Sequence, residues 1–116
     1  MSEQLEVYDY LFDDDEPQLR RRVERTVAKV VRLLTALPED ADTIAELLHL
    51  QGVRGLRNSV TGCPLSVYFA HNGFPGLEVG VQSIGHEVWD VELPRACKTF
   101  VRRFDRGSYK MLRVTA

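Results

Sequence analysis

Leu19, Val23, Val27, Val30, Leu34 and Leu37 recur at every third or fourth position of one stretch. That spacing places them in a single stripe along an α-helix, and a stripe of this length must be covered by other parts of the chain. Asp13-Asp14-Asp15-Glu16-Pro17 stands just before it. Carboxylates suit the unpaired N–H groups at a helix start, and proline is tolerated in the first turn. The spacing therefore predicts a helix from about residue 16 to residue 37, closed by Leu37-Pro38. Arg22, Arg25, Lys29 and Arg32 fall on a second stripe, roughly opposite the apolar one.

What covers the apolar stripe is read from the remainder of the chain. A second helix is expected over 43–51, with Thr43 and Glu46 at capping-box spacing and Gly52 as its C-terminal cap. Residues 52–62 hold three glycines and two arginines without a period, which predicts an irregular loop or one short strand. Cys63-Pro64 opens a short helix with Leu65, Tyr68 and Phe69 on one face, ended by Asn72-Gly73. Leu77, Val79 and Val81 alternate with polar or small residues, as do Trp89, Val91 and Leu93. Two strands are expected there, joined by a hairpin turn at Ser83-Ile84-Gly85-His86. A last helix begins at Pro94, buries Cys97, Phe100, Val101 and Phe104, and stops at Gly107. The tail from Ser108 reads as a docking strand or a frayed end.

The fold expected is α+β: a small antiparallel sheet, a hairpin or three strands, packed on one face by two long and two short helices. With 116 residues the chain makes a single domain, residues 1–15 forming an N-terminal arm. Within that arm Leu5, Tyr8, Leu11 and Phe12 have helical spacing, and they are the residues expected to meet a protein partner or a second copy of the chain.

Two stretches resemble a group of small actinobacterial proteins. One is Gly52-Val53-Arg54-Gly55 followed by Cys63-Pro64-Leu65-Ser66-Val67-Tyr68. The other is Leu93-Pro94 followed by Phe100-Val101-Arg102-Arg103-Phe104-Asp105-Arg106-Gly107-Ser108-Tyr109. In that group the final tyrosine is usually followed by proline, where this chain has Lys110. The resemblance implies a shared fold with a Cys-Pro turn near its middle, and brings no activity with it.

The residues capable of chemistry are few. Cys63 precedes a helix, where unpaired N–H groups favour a thiolate, so a cysteine-dependent enzyme or redox sensor is one reading. It lacks a histidine (His49, His71 or His86) at the spacing of a known cysteine enzyme, and the simpler expectation is a packed thiol. Cys63, His71, His86 and Cys97 contain no paired ligand motif, so neither a metal nor another cofactor is expected. Cys97 and Trp89 read as core. Arg54 and Arg57 in the glycine-rich loop are candidates for holding an anion, though the order of a nucleotide-binding loop is missing.

Residues 43–53 resemble the opening of a helix-turn-helix, but Gly55, Asn58 and Gly62 interrupt the helix that would read DNA. The stripe Arg22, Arg25, Lys29 and Arg32 is the alternative nucleic-acid surface. The acidic run upstream and the net charge of −2 weigh against it. No stretch has the length of a membrane span or the order of a secretory signal, so the expected location is the cytoplasm. The chain thus reads as a non-enzymatic interaction or regulatory module, with a protein as its expected partner and neither nucleic acid nor membrane.

Overall fold

The computed structural model describes residues 17–114 and the backbone of residues 5–7. The elements are β1 (Leu5–Val7), α1 (Pro17–Ala36), α2 (Ala41–Leu50), α3 (Pro64–His71), β2 (Glu78–Val79), β3 (Ser83–His86), β4 (Trp89–Glu92) and α4 (Arg95–Asp105). A 3₁₀ turn, Lys110–Leu112, follows α4. The architecture is α+β, with an antiparallel sheet in the order β1-β4-β3-β2.

The sheet has four strands where a hairpin or three were expected, and one of the additions comes from the N-terminal segment. Leu5, Glu6 and Val7 stand opposite Val91, Asp90 and Trp89. A helix therefore does not form over 5–7; the alternation Leu-Glu-Val satisfies a strand, and β4 offers an open edge to pair with. Tyr8, Leu11 and Phe12 lie outside the described residues.

The hairpin is also displaced. Ser83–His86 is a strand rather than a turn, and the chain reverses at Glu87-Val88. Gly85 explains the error. A Cβ there would sit 2.6 Å from the carbonyl oxygen of Trp89 and 2.9 Å from Asp90 Oδ1. This glycine permits a close approach between paired strands and does not supply a turn. Val81, expected in a strand, is an exposed residue of the loop between β2 and β3.

Alternation along the strands divides the sheet into two faces. Val79, Ile84, Trp89 and Val91 are buried under the helices, while Glu78, Ser83, Asp90 and Glu92 are more open. Against the buried face α1 packs Val23, Val27, Val30 and Leu34. Leu19, one turn earlier, remains 39% exposed, so the buried seam is shorter than the apolar period. Cys97, Phe100, Val101 and Phe104 of α4 join the same core, as do Ile44 and Leu48 of α2 and Phe69 of α3.

The start of α2 lies earlier than expected. Asp40, in extended conformation, is the N-cap, and its Oδ2 accepts from both the backbone N–H and the hydroxyl of Thr43 at 3.0 Å. Thr43 stands inside the first turn; the carboxylate outcompetes the hydroxyl for the free N–H group. The end of α4 is as read. Gly107, at φ +106°, lets the N–H groups of Gly107 and Ser108 turn back onto the carbonyls of Phe104 and Arg103.

Candidate functional site

The two stretches that stand out in the sequence meet at one end of the molecule. Gly55 donates its N–H to the carbonyl of Leu112 at 2.7 Å, and Val114 donates back to Gly55 at 3.0 Å. The tail is therefore neither frayed nor a full strand: one parallel bridge, Gly55 to Arg113, fixes it. Gly55 also lies flat against Cys63-Pro64, where an added Cβ would fall 2.6 Å from Pro64 Cδ and 2.7 Å from the Cys63 carbonyl carbon.

Arg57 reaches across to α4, and its Nε and Nη2 both donate to the carbonyl oxygen of Asp105 (3.0 and 2.8 Å). The N–H of Asn58 donates to Asp105 Oδ1 at 2.9 Å. Arg113 Nη2 donates to the carbonyl of Gly107 at 2.7 Å. The Arg57 guanidinium thus satisfies a carbonyl that the C-terminus of α4 leaves unpaired, at its negative end, and Arg113 satisfies one just beyond it. Nε and Nη2 of Arg57, a candidate for holding an anion, are thus engaged within the fold. Arg54 is exposed and makes no hydrogen bond or ion pair among the described residues.

Tyr109 completes this clamp. Its hydroxyl donates to Asp42 Oδ1 at 2.6 Å, while Arg103 Nη1 donates to the same oxygen at 3.2 Å. The ring stacks on Phe100 with centroids 5.4 Å apart. Burial and the Asp42 carboxylate raise the phenol above its ordinary range, and the Arg103 guanidinium opposes them. This Tyr-Asp-Arg cluster joins α2 to α4 and the tail.

Cys63 has the environment of a packed thiol. It is 2% exposed, and burial is the main cause pushing its pKa up to about 11. The N–H groups of Ser66 and Leu65 do favour the thiolate, as its place before α3 predicts, but they are outweighed, and Asp105 adds to the upward push. His49, His71 and His86 are exposed, and none contributes to its titration. Burial weighs against a reactive thiolate at Cys63, and among the described residues no histidine stands beside it as a base. Cys97 is buried in the core of α4. Among the described residues no group of three or more His, Cys, Asp or Glu side chains is placed to hold a metal.

The outward face of α1 differs from all of these. Arg21, Arg22, Arg25, Lys29 and Arg32 are exposed, on the side away from Val23, Val27, Val30 and Leu34. None makes a hydrogen bond or ion pair among the described residues. Arg21 extends the stripe expected from the sequence by one cation. Glu24 is the one carboxylate on the helix, and at 100° per residue it lies to the side of the stripe.

A solvated helix face usually alternates in sign, because opposite charges three or four residues apart attract. On α1 the pairs Arg21–Arg25, Arg25–Lys29, Arg22–Arg25 and Lys29–Arg32 are all repulsive. The net charge of −2 conceals this segregation. Residues 1–16 carry seven acids and no base, leaving fifteen bases against ten acids, a net charge of +5, on residues 17–116.

No protein-family model matches the chain, and neither a curated protein nor a solved structure matches it. Among the described residues no helix is long and apolar enough to cross a membrane.

Proposed function

We propose that the protein is a non-enzymatic interaction module that docks an anionic macromolecule through the outward face of α1. The single-signed stripe Arg21, Arg22, Arg25, Lys29 and Arg32 carries this reading. Its cations are exposed and repel one another, so an anionic partner gains from each of them and relieves their repulsion. Several chemistry-bearing residues elsewhere have other roles: Cys63 packs in the core, Arg57 and Arg113 donate to carbonyls at and just after the end of α4, and Tyr109 and Arg103 meet Asp42.

The N-terminal segment supports the partner role less than its composition promised. The backbone of residues 5–7 pairs with β4 of its own chain, so Leu5 belongs to a strand of the fold.

Chromatography on an immobilised sulfated polysaccharide tests the reading with a generic polyanion. The full chain should be retained and elute with salt, and the triple variant R25Q/K29Q/R32Q should elute at markedly lower salt. R95Q, an exposed arginine on α4, should elute with the wild type. Coincident elution of the wild type and the triple variant would remove α1 as the docking surface.

A further inference from the structure

The partner's chemistry can be read from what the docking face lacks. A helix that enters a protein groove presents apolar anchors at i, i+3, i+4 and i+7, and protein interfaces centre on desolvated aromatic or aliphatic side chains. Every buried apolar residue of α1 faces its own core, and between the cations the outward face carries small or polar residues such as Ala28 and Thr35. Such a face has charge to offer and no apolar centre to bury.

Its means of reading bases are few: arginine can contact guanine, but no Asn, Gln or aromatic residue stands between Arg21 and Arg32, and Gln18 lies one turn before them on the same face. Four of the five cations are arginine, whose planar fork matches two oxygens of one phosphate. From Arg21 to Arg32 the stripe covers about 17 Å of helix axis at ~1.5 Å per residue. A duplex presents a phosphate charge every ~1.7 Å of its own axis, so the stripe always finds several within reach.

Resting on the docking role of α1, we propose that its partner is the phosphodiester backbone of a duplex nucleic acid, bound without regard to sequence. The helix lies along the phosphates, with Arg21, Arg22, Arg25, Lys29 and Arg32 as the contacting groups. No base is read. Other exposed arginines among the described residues, such as Arg54, Arg102 and Arg106, add to the positive field and so to the rate of encounter.

Fluorescence anisotropy of the full chain with a labelled 20-base-pair DNA duplex, and with the RNA duplex of the same sequence, tests this. Four or five phosphate contacts give log K a slope of about −4 against log salt, at ~0.9 per contact. A duplex of scrambled sequence should bind within a few-fold. The triple variant R25Q/K29Q/R32Q should have a slope shallower by about 3 and an affinity lower by a few-hundred-fold near ~0.1 M salt, from the same ~0.9 per contact. R95Q should match the wild type, and circular dichroism should show all variants folded. The tighter of the two duplexes identifies the nucleic acid.

Two results would overturn the proposal. One is no binding of either duplex at low salt; the other is a salt slope unchanged in the triple variant. If either accompanies retention on the sulfated polysaccharide that still depends on α1, the docking role survives and its partner is another polyanion. If that retention is independent of α1 as well, both readings fall.

Discussion

Gly55→Ala should be among the most damaging single-methyl additions available in this chain, and the structure supplies the reason. The new Cβ would fall 2.6 Å from Pro64 Cδ and 2.7 Å from the Cys63 carbonyl carbon. Carbon atoms in contact prefer roughly 3.5–4 Å, so the segment around residue 55 would have to retreat by about 1 Å. Its retreat cannot be absorbed by a rotamer, because the opposing atoms are the proline ring and backbone. It would also stretch the hydrogen bonds from Gly55 to Leu112 (2.7 Å) and from Val114 to Gly55 (3.0 Å). Overpacking costs ~1–3 kcal/mol, and each weakened hydrogen bond adds up to ~1 kcal/mol. We expect a loss of about 3 kcal/mol, or about 12 °C in Tm at roughly 4 °C per kcal/mol. Gly52→Ala is the internal comparison. Gly52 has φ +72° and nothing within 4 Å of an added Cβ, so only backbone strain of about 1 kcal/mol applies. Urea and thermal unfolding of the two variants beside the wild type measure both. Equal losses would refute the argument that Gly55 is pressed against the Cys-Pro turn.

Further outcomes follow from the other parts of the clamp. Cys63 should alkylate slowly in the native protein at pH 8 and promptly in urea; fast native labelling would contradict its burial. Because folding raises this thiol from 9.0 to about 11, its contribution to stability is complete below about pH 9 and is lost as pH rises towards 11. Replacing Cys63 with Ser should flatten that alkaline limb of a stability–pH curve. Tyr109→Phe removes two partly exposed hydrogen bonds, the one donated to Asp42 and the longer one accepted from Arg103, and should cost about 1–2 kcal/mol. Tyr109→Ala also removes the stack on Phe100 and should cost at least about 1 kcal/mol more, measured in urea. Asp40 has its pKa lowered by the Thr43 N–H and hydroxyl, so its stabilisation is present above pH 3.8 and lost as pH falls through the lowered value. Asp40→Ala should lower Tm at neutral pH and flatten the acid limb, and Asp40→Asn should recover part of the loss. R25Q/K29Q/R32Q should be at least as stable as the wild type, since three repelling cations are removed; a lower Tm would mean that the stripe supports the fold.

Features with a long, single period were legible in the sequence. The apolar seam of α1 needed only its spacing, and the burial of Cys97, Phe100, Val101 and Phe104 followed from theirs. Residues with two possible uses were misread. Gly85 has the composition of a turn but serves the close approach of two strands, and Thr43 has cap chemistry but stands three residues after a better cap. Leu5-Glu6-Val7 fits a strand as well as a helical arm, and only the open edge of β4 decides. The clamp was invisible for a different reason: Arg57 meets Asp105 and Tyr109 meets Asp42 across distant parts of the chain, and no local pattern encodes such pairs. The cationic stripe was visible, but averaging it with the acids of residues 1–16 hid its net charge.

The claim that α1 is the docking surface is met most directly by a nuclear magnetic resonance titration of the full chain with a short sulfated oligosaccharide. The account predicts amide and guanidinium shifts concentrated on Arg21, Arg22, Arg25, Lys29 and Arg32, fading as salt is raised. Resonances of the 52–62 loop, Cys63 and the open face of the sheet should stay in place. Shifts centred on that loop, or on the exposed apolar residues Leu56, Val60 and Val81, with α1 unmoved, would contradict it.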